Sequence, residues 1–432
     1  MAHGSSSPWR EAFGEVQNTA QFSEWVAHTV ASREWSARSI AQCPIQPVCN
    51  LGDGSSQSNP PAFAIEAYKS ALDLVECNQY PPTGGLPRFT STLAKIYSPL
   101  LGRDLDANSE ISVHSGGTEA ILSILTAFVD RGDEVVVFEP GFDLYELHVR
   151  FLGGIIRSVQ LHPPASASTR VSKRQRMDFR RRGSWKQRSR IEQRFSHNPL
   201  GKVFTAHELA TIGDIAIKHN LIVLSDEVYE HLTYGPEFIR LASLSPAYAA
   251  QTITVHSIGK AFNATGWRIG YATGPSDLIR RVKNAHIILS FTTAGPAQAA
   301  AAASLEEAQR NGFWDTNRAK MAKNIEIMCQ VFEELGLPYV KPMGAHYLML
   351  NAGKIKVPKG YTFPAALYKK TRDWRLSWFV LMEVGVATIP SSASFNNTRS
   401  VVTENYLRFV VGKPEAELRE AGRRLLGLKQ FL

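Results

Sequence analysis

Apolar residues recur at helical spacing in PAFAIEAYKSALDL, from Pro61, and again in RFTSTLAKIYSPLLG, where Gly102 ends the run. Between them lies the turn-rich QYPPTGGLP. The stretch EISVHSGGTEAILSILTAFVDRGDEVVVFEPGFDLY then reads as strand, glycine turn, helix, turn, strand and loop. The same grammar returns in HELATIGDIAIKHN, a helix, followed by the apolar strands LIVLSDEVY and TITVHSIGK. Strands alternating with helices predict an α/β fold with a mostly parallel sheet flanked by helices. Reactive residues stand directly after the strands, and in such sheets the ligand crevice lies beyond the strands' carboxyl ends. A helical tract from Ala300 to about Gly336 leads out of this unit. The short strands HYLMLN, VGVATIP and YLRFVV, with a final helix aligning Leu418, Ala421 and Leu425, predict a smaller α+β domain. The predicted division is an arm with part of the small domain over 1–60, a large domain over 61–325 and a C-terminal small domain over 326–432.

With 432 residues, 44% hydrophobic and 20% charged, the chain has ordinary globular composition, which argues against collagen-like or disordered classes. No run of about 18 apolar residues and no apolar leader is evident, so a cytoplasmic protein without membrane contact is predicted. Cys43, Cys49, Cys77 and Cys329 form no ligand pattern, so packed thiols are predicted and no metal ligands are assigned. The formal charge of +9 is local: between Arg170 and Phe195 eleven basic residues face two acids, and the remaining 37 basic and 37 acidic residues balance. A nucleic-acid partner is therefore not predicted from the whole chain.

Three residue groups carry chemistry. Lys260 at a strand end, with Ser257 beside it and Arg268 eight positions on, suits a Schiff-base lysine next to a phosphate-holding hydroxyl and guanidinium. Asp226 closes an apolar strand and can pair with a protonated ring nitrogen, with Tyr229 three residues later near a ring oxygen. The turn through Gly117 and Thr118 opens a helix whose amides suit a phosphate, and Phe142 offers an aromatic face. Each residue taken alone also fits a bland role: a surface lysine, an N-cap aspartate, a core phenylalanine.

Taken in order, SGGTEA, EPGFDLY, HNPLGK, SDEVY, SIGKAFNATGWRIG and YLRF resemble the class I aminotransferases of pyridoxal-phosphate fold type I, nearest the kynurenine/aromatic branch. The resemblance implies pyridoxal 5'-phosphate as cofactor and a ping-pong transfer of an amino group from an aromatic or kynurenine-like L-amino acid to a 2-oxo acid. It implies that Lys260 forms the cofactor Schiff base and shuttles the proton. Asp226, Asn198 and Tyr229 would hold the ring, Gly117, Thr118, Ser257 and Arg268 the phosphate, and Phe142 the ring face. Arg408 would clamp the substrate carboxylate beside Gly54. Tyr80 would reach the phosphate of a neighbouring subunit, making a homodimer. A cysteine-conjugate β-lyase on the same scaffold is the alternative chemistry.

One segment departs from the resemblance. RRRGSWKQRSRIEQRFS stands where the family carries an apolar strand before Asn198, and its density of charge argues against a place inside a buried sheet. A solvated basic insertion, a stretch of altered coding sequence and an anion-binding patch are the competing readings. If the strand is lost, Asn198 is misplaced and a catalytically impaired homologue or interaction protein results.

Overall fold

The computed structural model describes residues 39–54, 56–161, 198–394 and 403–432, together with the main chain of 189–194. A seven-stranded sheet organises the larger part, in the order β2-β8-β7-β6-β5-β3-β4. Its strands are β2 (Ile111–His114), β3 (Glu134–Glu139), β4 (Ile155–Gln160), β5 (Ser189–Arg194), β6 (Val223–Asp226), β7 (Thr252–Ser257) and β8 (Gly270–Thr273). From β7 to β4 every neighbour is parallel; β8 alone runs against both β7 and β2. Because β2 and β7 are each antiparallel to β8, they point the same way. The carboxyl ends of β2, β3, β5, β6 and β7 therefore share one edge.

Strands β2, β3, β6, β7 and β8 are buried on both faces, and the residue period of two shows why. Val135 and Val137 join a core with Ile121, Ile124, Leu224 and Val255, whereas Val136 and Phe138 join another with Leu209, Ile212 and Val223. Helix α3 (Gly117–Phe128) covers the first face and α5 (Ala206–His219) the second. Between them in the chain, α4 (Asp143–Phe151) follows β3. The start of α5 is fixed by a capping box between Thr205 and Glu208, and its end by Asn220 in the left-handed region. At the sheet edge β4 is largely exposed and carries Arg157, paired to Glu134, which keeps the edge charged.

The expected pair of N-proximal helices is present as α1 (Ala62–Leu72) and α2 (Pro87–Leu101). The expected tract from Ala300 to Gly336 is interrupted. After α6 (Ser276–Ser290), α7 (Gly295–Ala308) and α8 (Phe313–Glu334) are separate helices, broken before Gly312, whose φ of 70° a helix does not accommodate. A four-stranded antiparallel sheet follows, ordered β12-β13-β10-β9, from β9 (Tyr339–Val340), β10 (Tyr347–Asn351), β12 (Ile389–Pro390) and β13 (Tyr406–Val410). It packs with α9 (Arg372–Val384) and α10 (Glu415–Leu425), which buries Leu418, Ala421 and Leu425. From the amino-terminal side, β1 (Cys49–Asn50) pairs in parallel with β11 (Val386–Ala387).

The expectation that the basic run would leave a gap in the sheet is corrected. Ser189–Arg194 is the strand between β3 and β6, with Glu134 to Val137 opposite Ser189 to Glu192, and Ile191 to Arg194 opposite Val223 to Asp226. The physical reason is in the main chain. Two buried parallel strands each present N–H and C=O groups that need partners, and the intervening segment satisfies both rows. The charge argument weighs side chains alone. Residues 170–188 and 195–196, and any insertion or anion patch there, lie outside the described residues. No described helix is long and apolar enough to cross a membrane, and all four cysteines are buried and free.

Candidate active site

Each carboxyl end on the shared edge delivers one sequence motif. β2 runs into Ser115, Gly116 and Gly117; β3 into Phe142; β5 leads towards Asn198; β6 ends on Asp226; β7 ends on Ser257, three residues before Lys260.

The turn at the start of α3 is built around close approach. Gly116 has φ of 92°, and a Cβ there would sit 2.4 Å from Nη2 of Arg268. A Cβ on Gly270 would lie 2.4 Å from the main-chain nitrogen of Gly117. Arg268 itself occupies the left-handed region at φ 56°, donating from Nη1 to the Thr265 carbonyl at 3.0 Å and from Nη2 to the Ser115 carbonyl at 3.4 Å. A guanidinium is thus laid against the glycine turn and the amino end of α3, an arrangement suited to an anion. Thr118 and Ser257 are half-buried at the same edge.

Asp226 is 1% exposed. Its Oδ2 accepts from the Tyr145 hydroxyl at 2.5 Å and its Oδ1 from the Val228 amide at 3.2 Å. Phe142, half-buried, meets Tyr145 edge to face at 5.6 Å. Phe142, Tyr145 and Asp226 therefore form one wall.

A second group of contacts brings Lys260 and Tyr229 together with β10 and β13. Lys260 donates from Nζ to the Gly54 carbonyl at 3.3 Å, and its Nζ stands 5.6 Å from the centre of the Tyr229 ring. The Tyr229 hydroxyl meets that of Tyr347 at 2.6 Å, and the Arg408 guanidinium lies over the Tyr347 ring at 5.0 Å. Arg408 donates from Nη1 to Asn198 Oδ1 at 3.1 Å and from Nη2 to the Gly52 carbonyl at 3.1 Å; its buried Nε has no partner among the described residues. Burial pushes the pKa of His346, packed edge-on to Tyr229, well down, and the Lys260 and Arg408 charges push the same way, so this imidazole is neutral. Burial likewise raises the Tyr347 phenol far above its ordinary value.

Of the residues read from the sequence, Lys260 contacts Gly54 and stands against Tyr229, and Arg408 contacts Asn198, the two groups being bridged by Tyr347; Phe142 connects to Asp226 through Tyr145; Arg268 lies against Gly116, beside Gly117. Tyr80 stands apart, 84% exposed, with its ring on Phe291 at 5.4 Å. Tyr145, Tyr347, His346 and the Gly52 carbonyl contact these candidate residues and have no assignment from the sequence. Tyr145 was visible within EPGFDLY; the others have no local signal. A cavity of about 840 Å³ between Ile355, Phe363, Arg372 and Arg375 shares none of these residues.

Comparison with known proteins agrees with this geometry. The family model for aminotransferase class I and II matches residues 46–425. A Saccharomyces cerevisiae protein named "Probable kynurenine--oxoglutarate transaminase BNA3" is 38% identical over 388 residues, covering 89% of this chain and 87% of its own. The Dictyostelium discoideum protein named kynurenine--oxoglutarate transaminase is 32% identical, over 88% of this chain and 91% of its own. The crystal structure of Bna3p from Saccharomyces cerevisiae superposes with a TM-score of 0.88 at 36% identity, covering 93% of this chain and 95% of that one. A strand-end lysine, a buried strand-end aspartate and an arginine-backed glycine turn on a fold type I scaffold thus have a common explanation: this chain belongs to the class I and II aminotransferases.

Proposed function

We propose that this aminotransferase takes the amino group of kynurenine or another aromatic L-amino acid and passes it to a 2-oxo acid such as 2-oxoglutarate, in two half-reactions that use one site in turn. The observation that carries the substrate side is Arg408: two of its nitrogens are anchored on Asn198 and Gly52, and its buried Nε faces no described partner. An oriented guanidinium with a donor to spare suits a carboxylate, which both substrates carry.

Family membership implies pyridoxal 5'-phosphate, and the residues fit it: a Cβ at Gly116 or Gly270 would fill the turn that Arg268 backs, and a buried carboxylate stands ready for a cationic ring. When bound, this group supplies an electron sink that stabilises negative charge at the substrate Cα. Gly117, Thr118, Ser257 and Arg268 would hold the phosphate. Asp226, fixed by Tyr145, would keep the proton on the ring nitrogen, and Phe142 would cover the ring. Tyr229 and Asn198 would donate to the ring oxygen. Lys260 would anchor the cofactor and, once free, move a proton to and from the substrate Cα through Nζ; the Gly54 carbonyl orients that amine.

The same reading makes the chain a homodimer, with exposed Tyr80 and Phe291 at the subunit contact and Tyr80 directed to the partner's site. It divides the chain into the arm, large domain and small domain given by the sequence, and four free cysteines favour a cytoplasmic home. The test is steady-state turnover of kynurenine with 2-oxoglutarate: parallel double-reciprocal lines support the proposal, and turnover that survives Lys260→Ala overturns it. Pyruvate released from a cysteine S-conjugate without any acceptor would instead mark C–S cleavage as the main chemistry.

A further inference from the structure

Beneath the phosphate turn lies a buried cluster that the reaction does not use. Glu119, in the first turn of α3, reaches back so that Oε2 accepts the Ser115 amide at 3.0 Å. The same carboxylate accepts from the Ser123 hydroxyl at 2.5 Å, from His114 Nδ1 at 3.0 Å and from His286 Nδ1 at 3.0 and 3.1 Å. Both imidazoles are completely buried, with ring centres 4.8 Å apart, and the Nε2 of each has no partner among the described residues. Glu119 is thus their shared anchor. Burial alone would raise its pKa, but the hydrogen bonds from His114 and His286 outweigh that and hold it below the ordinary carboxylate range.

His286 belongs to α6, and the last turn of that helix points two ways. Ser290 meets the Ser115 hydroxyl at 3.1 Å, so α6 touches the phosphate turn a second time. The Phe291 amide bonds the His286 carbonyl at 3.2 Å, and Phe291, at φ 63°, carries its ring to Tyr80. Ile288, between the two histidine-side and outward-facing contacts, is 84% exposed. The inner side of this turn of α6 grips Glu119 and Ser115, and its outer side presents Ile288, Phe291 and Tyr80.

We infer that the His114–Glu119–His286 cluster couples cofactor binding to subunit assembly, by fixing the phosphate turn and the exposed end of α6 as one rigid piece. The inference rests on the proposed cofactor site and homodimer. A packed, hydrogen-bonded connection is the physical carrier that coupling requires, and the effect is reciprocal: an ordered turn orders the contact surface, and a formed contact orders the turn. Glu119, His114 and His286 are positioning residues; none of them is assigned a contact with cofactor or substrate.

The test is sedimentation equilibrium of the full chain with and without added pyridoxal 5'-phosphate. In the wild type the cofactor should tighten the dimer on the order of tenfold. Glu119→Gln places an amide N–H₂ against N–H donors, and should remove most of that tightening while a dimer still forms. Ser290→Ala deletes only the hydroxyl contact, leaves Glu119 in place, and should lower the tightening part-way; it serves if the first variant does not fold. Equal tightening in the wild type and both variants overturns the coupling and leaves the dimer reading intact. A wild-type chain that sediments as a monomer at every concentration, with and without the cofactor, overturns the dimer reading itself.

Discussion

Arg408 donates from Nη1 to the Oδ1 of Asn198 at 3.1 Å across a separation of 210 residues. This bond ties the small antiparallel sheet to the segment that follows β5. The premise of an impaired homologue, a lost strand before Asn198, is corrected by the strand at Ser189–Arg194.

Arg408→Gln should raise the KM for amino acid and 2-oxo acid alike and lower kcat/KM about a hundredfold, since a hydrogen bond to a charged group contributes roughly 1.5–3 kcal/mol. An amine donor without a carboxylate should be affected far less. Steady-state kinetics with both donor types decides, and equal losses for the two would contradict a carboxylate clamp.

Two glycine variants should weaken the turn for different physical reasons. In Gly116→Ala the new Cβ meets the far end of Arg268, 2.4 Å away, which can swing aside. The φ of 92° strains any L side chain there as well, so cofactor affinity and melting temperature should both fall. In Gly270→Ala it meets the main chain of Gly117 and Gly116 at 2.4 and 2.5 Å, which cannot yield cheaply. That variant should lose about 1–3 kcal/mol of stability, read from denaturant unfolding of the protein without cofactor.

Tyr145→Phe removes a hydroxyl from a carboxylate that is 1% exposed. The expected result is a cofactor dissociation constant raised by about ten- to a hundredfold, in line with ~1–3 kcal/mol for a buried group that loses a donor. Titration of the protein with pyridoxal 5'-phosphate, followed by absorbance, measures it.

Glu227 gives a stability signature with a definite sign. Burial pushes its carboxyl up to about 7, against the opposing pull of Arg240 and His256. The folded state therefore binds a proton that the unfolded chain releases near the ordinary value of 4.5. Its contribution is fully present below that value and is lost as pH rises through about 7. Glu227→Gln mimics the protonated form, so the variant should gain on the wild type between these limits. Chemical denaturation across that pH range tests it, and a constant difference between the two proteins would refute the assignment.

The strands, helices and motif order were legible in the sequence because they are local. Apolar runs of Val135–Val137 and Val223–Leu224, the stop at Gly102 and the helical pattern from His207 each depend on neighbours in the chain. Lys260 and Asp226 were legible as candidates for a similar reason: a reactive residue at or just after the end of a buried strand has one edge to go to; Arg268 was legible from its spacing eight residues after Lys260. The partners that complete the site were not. Tyr145 reaches Asp226 from 81 residues away, Tyr347 meets Tyr229 from 118, and the Gly52 carbonyl meets Arg408 from 356. Such pairs are created by packing and leave no spacing to read.

The charged run marks the boundary most clearly. By itself, the sequence determined the family, the α/β plan and the candidate residues for the chemistry, because these follow from local periodicity and from motif order. Only the tertiary structure decided that Ser189–Arg194 is a strand. Its two neighbours, β3 and β6, present main-chain donors and acceptors that composition does not register, and a six-residue stretch that satisfies both rows takes its place in the sheet.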